Sequence, residues 1–404
     1  MFWFAALSVA AWLVTTLTAL AFRSRAYALF RGIHLGLHTA VAIAVAPTGS
    51  RLFPAFALLH AIVYLQALVL VRPRLRPFWY RALVSIPAAG FGAGTLLALP
   101  WALAAALGVT LPALWLPYLL ALIGVVQSLS LREEQVDIVV ADGAVAGLRR
   151  HTPGRARVAR PLRVVQLSDP HLGPFMSIER LRRIAGEAVR KSPDLVLLTG
   201  DFLTMESQGD PALLGAALEP LRALEGRVFA CLGNHDHEAL DTVRGALLSA
   251  GVRLLVDEAA LVRTEAGDVQ VVGADFAWRE RERHLAQLCQ RHPRVPGALR
   301  LVLLHDPGAF RHLPPGEADL VLSGHTHGGQ LGLLSLGLPW TLMRLFVGAP
   351  DHGLWARGTD RLYVHRGTGH YGFPLRIGVP GENSLLRVHA PGEAGLEAEG
   401  LPTS

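Results

Sequence analysis

The sequence predicts an α-helical membrane domain of about five spans, followed by an α/β domain that carries several polar motifs. Hydrophobic residues make up 51% of the 404 residues and charged residues only 17%, which is too apolar for a soluble chain of this length. The long apolar runs all precede residue 131, and beyond it short apolar runs alternate with amphipathic segments. The polar motifs all lie in this second part, each directly after a strand-like run.

Five apolar runs come close to the roughly 20 residues that cross a bilayer. They are Phe2–Phe22, Tyr27–Ala46, Leu52–Val71, Leu83–Val109 and Leu111–Leu129. The first has no basic segment before it and more runs after it, so we interpret it as a retained anchor and not a signal peptide. The second is the weakest, because it contains Arg31, His34 and His38. The histidines either line a site or, as we expect, face the bundle or an interface.

Arginines give the expected orientation of these spans. They cluster after the first and third runs, and basic loops generally stay in the cytoplasm. This places the N terminus outside, and five crossings then return the α/β domain to the cytoplasm. Four crossings would instead put two basic loops on opposite sides. We therefore expect an integral protein of a bacterial inner or plasma membrane, divided into a helical domain (1–131), a cytoplasmic α/β domain (132–390) and a frayed tail (391–404).

The composition argues against two other classes of protein. The net charge of +6 raises nucleic acid as a partner, but the arginines flank apolar runs, and no basic run is interleaved with aromatic residues. We expect no nucleic-acid partner. The two cysteines, Cys231 and Cys289, have no partner at metal-ligand spacing and form no disulfide framework, so we expect two buried free thiols.

The second part begins with Glu133–Leu148, which we interpret as a strand pair turning at Asp142–Gly143, followed by an Arg-rich linker, Arg149–Arg160. The predicted strands are Arg163–Leu167, Leu195–Thr199, Val228–Leu232, Val269–Val272, Leu301–Leu304, Leu320–Ser323, Leu362–Val364 and Leu385–Val388. The predicted helices are Ile178–Arg190, Pro211–Leu224, Glu238–Ala250 and Arg279–Gln290. This alternation predicts an α/β sheet with helices on both faces.

Five polar motifs follow the predicted strands, where the open ends of such sheets form a crevice. They are Asp169-Pro170-His171, Gly200-Asp201, Gly233-Asn234-His235-Asp236, His305-Asp306 and Gly324-His325-Thr326-His327. Carboxylate, imidazole and amide oxygen without thiolate suit a binuclear centre of Mn²⁺, Fe or Zn²⁺ better than a structural zinc site. Each motif alone is more often structural, but their number and order indicate a site.

This order of motifs resembles the calcineurin-like metallophosphoesterase superfamily. The phrases Gln166-Leu167-Ser168-Asp169 and Gly324-His325-Thr326-His327-Gly328-Gly329-Gln330 look closer to one branch, which contains bacterial phosphodiesterase-like proteins and transmembrane proteins with a metallophosphoesterase domain. The resemblance covers about Glu133–Val388 and implies a β-sandwich flanked by helices.

The resemblance also implies two divalent metal ions and a role for each motif. Asp169, His171 and His327 would hold the first ion, Asn234, His305 and His325 the second, and Asp201 would bridge them. His235 would be catalytic, protonating the leaving oxygen or stabilising the transition state. Many members have an acidic residue three positions after the bridging aspartate, where this chain has Thr204. The orienting partner of His235 is therefore open, with Asp236 as a candidate.

Two regions beyond the motifs have open interpretations. The apolar segment Leu331–Val347 contains Pro339, which argues against a span. It is either a buried loop or an apolar lip that touches the bilayer or holds an acyl chain. Arg366, His370 and Arg376 either contact a phosphate or lie on a solvated surface.

We expect hydrolysis of a phosphodiester or pyrophosphate rather than a monoester, by resemblance to the branch. The membrane domain makes a lipid-linked substrate attractive, and relatives in the branch are associated with cleavage of UDP-2,3-diacylglucosamine. Two alternatives belong to other classes. One is a non-catalytic membrane scaffold that kept the fold, and the other is a transporter or receptor regulated by the hydrolase domain. The complete set of motifs argues against the first, and the few charges within the spans argue against the second.

Overall fold

The computed structural model describes residues 1–140, 143–152, 160–370, 372 and 375–390. The predicted tail and part of the Arg-rich linker lie outside these residues. The first part of the chain is helical. Its helices are α1 (Phe2–Phe22), α2 (Arg25–Val45), α3 (Phe53–Val69), α4 (Phe78–Leu97), α5 (Leu99–Ala106) and α6 (Leu116–Ser128).

The structure supports two or three membrane spans, and the count of five is not confirmed. Among the described residues, only α1 and α2 are both long and apolar enough to cross a bilayer, and α4 with α5 forms a third candidate bent by 45°. The helices α3 and α6 are apolar but have only 17 and 13 residues. Prolines in the first turns of α5 and α6 explain part of the difference, because they start new helices inside apolar runs that are continuous in composition. The helix α3 follows its predicted run closely but is short.

Two polar residues of the second run, His38 and Thr39, are buried inside the helical bundle. His38 Nε2 lies 3.1 Å from His60 Nδ1, and His60 Nε2 lies 2.9 Å from Ser8 Oγ. Thr39 Oγ1 and the Tyr64 hydroxyl are 2.6 Å apart. These bonds give His38 and Thr39 polar partners inside the bundle, as buried polar groups in an apolar helix require.

The second part of the chain is built on two packed sheets. The first contains, in order, β1 (Leu131–Val139), β13 (Gly381–His389), β3 (Leu162–Leu167), β4 (Leu195–Thr199), β5 (Val228–Cys231) and β6 (Arg253–Leu254). The second contains, in order, β2 (Val145–Arg150), β11 (Gly353–Gly358), β12 (Asp360–Val364), β10 (Leu320–Ser323), β9 (Leu299–Leu303), β8 (Gly267–Gly273) and β7 (Glu258–Thr264).

Helices cover the outer faces of both sheets. They are α7 (Ile178–Arg190), α8 (Pro211–Leu218), α9 (Leu240–Ser249) and α10 (Arg281–Arg291), and a short helix α11 (Leu342–Phe346) follows later. One apolar core joins the first sheet to α7, α8 and α9, a second fills the space between the sheets, and a third joins the second sheet to α10. The domain is a β-sandwich flanked by helices.

The predicted strand pair at Glu133–Leu148 is wrong. β1 pairs in parallel with β13 in the first sheet, whereas β2 pairs antiparallel with β11 in the second. The expectation of one sheet was also too simple. A buried strand is apolar on both faces, so its sequence alone does not show which of the two sheets it joins. Of the predicted turn at Asp142–Gly143, Asp142 lies outside the described residues.

Candidate metal centre

The five polar motifs converge at one edge of the sandwich. The strands β3, β4 and β5 run parallel in the first sheet, and β9 and β10 run parallel in the second. Each of these strands ends directly before one motif, so their carboxyl ends bring the motifs together. Both sheets therefore contribute to the same crevice.

Six of the predicted ligands form two groups whose candidate ligand atoms lie within 4.8 Å of one another. The groups are Asp169, His171 and His327, and Asp201, His305 and His325. In the first, His327 Nε2 lies 3.4 Å from Asp169 Oδ1. The two groups divide the side chains as the family resemblance implies, although their assignment as ligands stays a prediction.

Asp201 lies between the two groups. Its Oδ2 atom is 3.8 Å from His171 Nε2 and 3.2 Å from His305 Nε2. Its Oδ1 atom accepts a hydrogen bond of 2.9 Å from the backbone N–H of His235. One carboxylate thus reaches both groups, which is the geometry that a bridging ligand needs.

Asn234 provides an independent test of whether the residues fit a cation. Its Oδ1 atom is buried, and within the described part of the chain it has no hydrogen-bond donor. A buried amide oxygen without a donor is costly, and a bound cation removes that cost. Together with the carboxylates and imidazoles, this oxygen makes a donor set that fits two divalent ions.

Five of the predicted ligands have backbone conformations that side chains other than glycine rarely adopt. The φ angles are +50° at Asp169, +45° at His171, +58° at Asp201, +67° at His325 and +51° at His327. Such residues persist where the surrounding structure over-determines them, commonly at functional sites. The strain is a structural sign of a site that the sequence does not display.

Two glycines allow the ligand loops to approach one another. Gly200 has a φ of +86°, and a Cβ there would lie 2.4 Å from the backbone nitrogen of Gly233. A Cβ at Gly324 would lie 2.2 Å from Asp169 Oδ2. Side chains at these two positions would push the loops apart.

The structure assigns the orienting partner of His235 to Glu238, and the suggestion of Asp236 is wrong. His235 Nδ1 lies 2.8 Å from Glu238 Oε1, while Gln208 Nε2 donates to Glu238 Oε2 at 2.9 Å. Thr204 instead donates to the Leu172 carbonyl. The sequence spacing could have identified Glu238, because a carboxylate three positions after a histidine lies beside it across one helical turn.

Asp236 ties the ligand loops together. Its carboxylate accepts three backbone hydrogen bonds of 2.8 Å each, from Asp201, Phe202 and Gly233. It is fully buried, so these bonds connect the loop after β4 to the loop after β5 in a dry environment. Asp236 therefore shapes the site without facing His235.

Burial and neighbouring charges set the protonation of the site. Burial lowers the pKa of His171 and that of His325 to about 4, so both rings are neutral at physiological pH, as metal ligands must be. Burial also acts against the charge on Asp201, but the charge and the hydrogen bond of His305 outweigh it and hold the pKa of that carboxyl below its usual value. For His235, burial lowers the pKa, and the Glu238 hydrogen bond and the Asp201 charge reverse this to a net rise.

Neither open interpretation of Arg376 is correct, because its guanidinium is buried and bonded to backbone carbonyls. It donates to the carbonyls of Arg366, Gly369 and His327. Arg366 is also largely buried, between two carboxylates, Glu134 at 2.6 Å and Glu382 at 2.9 Å.

His370 is buried as well, and its ring packs edge-on against Phe175 at 4.7 Å. The region of Arg366, His370 and Arg376 therefore supports the turn that carries His327 and is not a solvated surface.

The domain is a β-sandwich with two histidine–carboxylate groups at its strand ends, which is the arrangement expected of a binuclear metallohydrolase. The family model described as "Calcineurin-like phosphoesterase" matches residues 162–329. Phosphodiesterase YaeI of Escherichia coli is 30% identical over 237 residues, which are 57% of this chain and 83% of that protein. The chain belongs to the calcineurin-like phosphoesterase family and is a metal-dependent phosphoester hydrolase.

Two further relatives are associated with membranes or lipids by their names. A transmembrane protein with metallophosphoesterase domain from Danio rerio is 32% identical over 232 residues, 54% of this chain and 50% of that protein. The UDP-2,3-diacylglucosamine pyrophosphatase LpxG of Chlamydia trachomatis is 27% identical over 305 residues, 60% of this chain and 88% of that protein. With the apolar helices α1 and α2, these relatives indicate a membrane-associated protein.

Proposed function

We propose that this protein is a membrane-anchored, two-metal hydrolase that cleaves a phosphodiester or pyrophosphate bond. The observation that carries the proposal is the pair of histidine–carboxylate groups that share Asp201. The proposed ligands are Asp169, His171 and His327 for one ion, Asn234, His305 and His325 for the other, and Asp201 for both. The proposed metals are Mn²⁺, Fe or Zn²⁺.

The mechanism combines metal chemistry with proton transfer by the chain. Two ions held by these residues would activate a water nucleophile and neutralise charge on the phosphate oxygens. His235 is half-buried at the edge of the site, with its ring centroid 5.7 Å from that of His171. Because Nδ1 is held by Glu238, Nε2 is the atom that delivers a proton to the leaving oxygen.

The substrate that we favour is lipid-linked, with a UDP-2,3-diacylglucosamine-like pyrophosphate as the candidate. Membrane association supports this, and so does the similarity to a relative named for that activity. If the N terminus is outside, three crossings and five crossings both place the domain in the cytoplasm. The basic loop after the first apolar run favours that orientation in either case. The basic loop after the third run is cytoplasmic only with five crossings, because with three it lies between α2 and the bent pair of α4 and α5. Reporter fusions after Leu131 test it, and a clear periplasmic signal would overturn it.

The test of function is turnover by the detergent-purified protein after Mn²⁺ loading. We would compare a bis-aryl phosphodiester, an aryl monoester and a UDP-linked acyl sugar, and count bound metal in the same samples. Asp201→Asn should abolish turnover, whereas Asp268→Asn, at an exposed carboxylate paired with Arg263, should not. Two bound ions without turnover of any of these would favour the alternative, a non-catalytic membrane scaffold.

A further inference from the structure

We propose that the segment Leu331–Val347, the apolar lip, inserts into the interfacial layer of the bilayer and holds the metal centre against the membrane surface. A phosphate group on a lipid-embedded substrate would then reach the centre without the lipid leaving the bilayer. The inference rests on the proposed function for its substrate, but the contact with lipid stands on separate observations.

The first observation is the exposure of the lip. Eight large apolar side chains are exposed: Leu333, Leu336, Leu338, Trp340, Leu342, Leu345, Phe346 and Val347. Phe346 is 81% exposed and Leu336 is 74% exposed. Contiguous apolar surface of this kind marks a binding or membrane site, so the alternative of a buried loop is wrong.

The second observation is that the lip is attached to the turn that carries two predicted ligands. The Thr341 hydroxyl donates to the Asp351 carboxylate, and Thr326 Oγ1 donates to the Asp351 carbonyl at 2.7 Å. Thr326 lies between His325 and His327. Asp351 thus connects the lip to the turn that carries two of the predicted ligands.

The third observation is that the lip continues the apolar surface of the helical domain. Gln127, at the end of α6, donates to Ser335 Oγ at 3.3 Å and accepts from the Gly378 backbone at 2.6 Å. Other side chains on α6, including Leu122 and Val126, are apolar and exposed, and they precede Gln127 on the same helix. The lip therefore begins where an apolar helix ends.

The other loops of the centre also face the helices. Phe175, four positions after His171, packs in one apolar cluster with Ala93 and Ala121. Met205 Sδ, four positions after Asp201, lies 3.2 Å from Arg23 Nη2. The strand-end face of the sandwich is consequently the face that meets the helical domain.

The chemistry of the lip favours lipid over a protein partner. It contains no acidic residue, and its single charged residue is Arg344. Leucines, an aromatic pair and one arginine match the interface between acyl chains and anionic headgroups. Continuity with the exposed surface of α6 points to the same occupant, the bilayer that surrounds the helices.

A labelling experiment tests contact with lipid without any substrate. Both native cysteines are buried, and burial raises the pKa of Cys289 to about 11, so these thiols react slowly with labelling reagents. A cysteine introduced at an exposed position is therefore labelled selectively. Phe346→Cys would carry a fluorophore in nanodiscs that contain spin-labelled phosphatidylcholine. Leu248→Cys, on the catalytic domain and 80% exposed, is the matched control. We expect the spin-labelled lipid to quench the fluorophore at position 346 and not at position 248. Equal quenching at the two positions would overturn the proposal.

A second experiment tests delivery of the substrate. The lip variant combines Leu336→Ser, Trp340→Ser and Phe346→Ser, and the control combines Leu248→Ser and Leu261→Ser, which change other exposed leucines. Two aryl phosphodiesters serve as probes, one soluble and one with a long alkyl chain embedded in vesicles of phosphatidylethanolamine and phosphatidylglycerol. We expect the lip variant to lose about tenfold or more on the embedded probe, or about 1.4 kcal/mol, and less than about twofold on the soluble one.

The outcomes separate the two proposals. Equal losses on both probes would show that the lip is only structural and would overturn delivery from the bilayer. Failure of the wild-type protein to hydrolyse either probe would count against the proposed function, while the fluorescence at position 346 would still decide whether the lip enters lipid.

Discussion

Glu238 should support catalysis through His235, and the substitution Glu238→Gln isolates that contribution. The glutamine keeps the size of the side chain and removes the charge that faces His235 Nδ1 at 2.8 Å. Because the carboxylate is also fixed by Gln208, its position should change little. We therefore expect kcat to fall with little change in KM.

The geometry sets the size of the loss. The side chains of His235 and Glu238 are 30% and 47% exposed, so solvent screens the pair and its coupling should be about 0.5–1 kcal/mol. This corresponds to about a two- to fivefold loss in kcat. Removal of the proposed proton donor itself, by His235→Ala, should cost about a hundredfold or more in kcat.

The assay is a double-mutant cycle on aryl phosphodiesters with different leaving groups. In the His235→Ala background, Glu238→Gln should have almost no further effect, because its only route to the reaction is lost. Both variants should lose less on substrates with acidic leaving groups, which need no proton. Glu219→Gln, at an exposed carboxylate paired with Arg182 at 2.8 Å, is the matched control.

Two results would refute the reasoning. Fully additive losses in the cycle would mean that Glu238 acts independently of His235. A loss that does not depend on the leaving group would mean that the pair shapes the site and does not deliver a proton.

Three further predictions concern metal binding and stability. Asn234→Ala should reduce bound metal from two ions to one, measured by elemental analysis, and retention of both would exclude Asn234 as a ligand. Asp236→Asn should lower the free energy of unfolding by about 1.5–3 kcal/mol in a denaturant titration, since the three backbone donors use both carboxylate oxygens and an amide offers only one acceptor oxygen. Burial raises the pKa of Glu206 from 4.5 to about 7. Between these pH values the folded protein keeps a proton on Glu206 that the unfolded chain releases. The free energy of unfolding therefore falls as the pH rises from 4.5 to about 7. Glu206→Gln should therefore stabilise the protein, with a gain that grows to about 3 kcal/mol by pH 7 and then stays constant; a gain that is equal at about pH 5 and about pH 8 would contradict this.

Elements with clear local boundaries were predictable from the sequence. The helix Ile178–Arg190 and the strands Leu195–Thr199 and Leu320–Ser323 have the predicted bounds. In the helix, Ser177 caps the first turn by accepting from the Arg180 N–H. The strands are short apolar runs that polar residues or glycine interrupt on both sides. Family membership was predictable for a related reason, because the motifs follow directly after such strands.

Features that depend on distant residues were not predictable. Pairing of β1 with β13 joins segments separated by about 250 residues, and an adjacent hairpin is the simpler expectation from local pattern. The number of spans depends on where prolines restart helices inside apolar runs. The exposure of the apolar lip depends on what packs against it, and composition predicts a buried segment equally well.

The two candidate ligand groups each draw on both sheets of the sandwich. In one, Asp169 follows β3 of the first sheet and His327 follows β10 of the second. In the other, Asp201 follows β4 and His305 follows β9. Each bound ion would therefore connect the two sheets at their strand ends, beyond the apolar core that already joins them. Strained backbone can persist at the predicted ligands because core packing fixes the sheets from one side and metal coordination would fix the loops from the other. The same edge carries the contacts to the helical domain, so the loops that hold the predicted ligands are also the loops that meet the apolar helices.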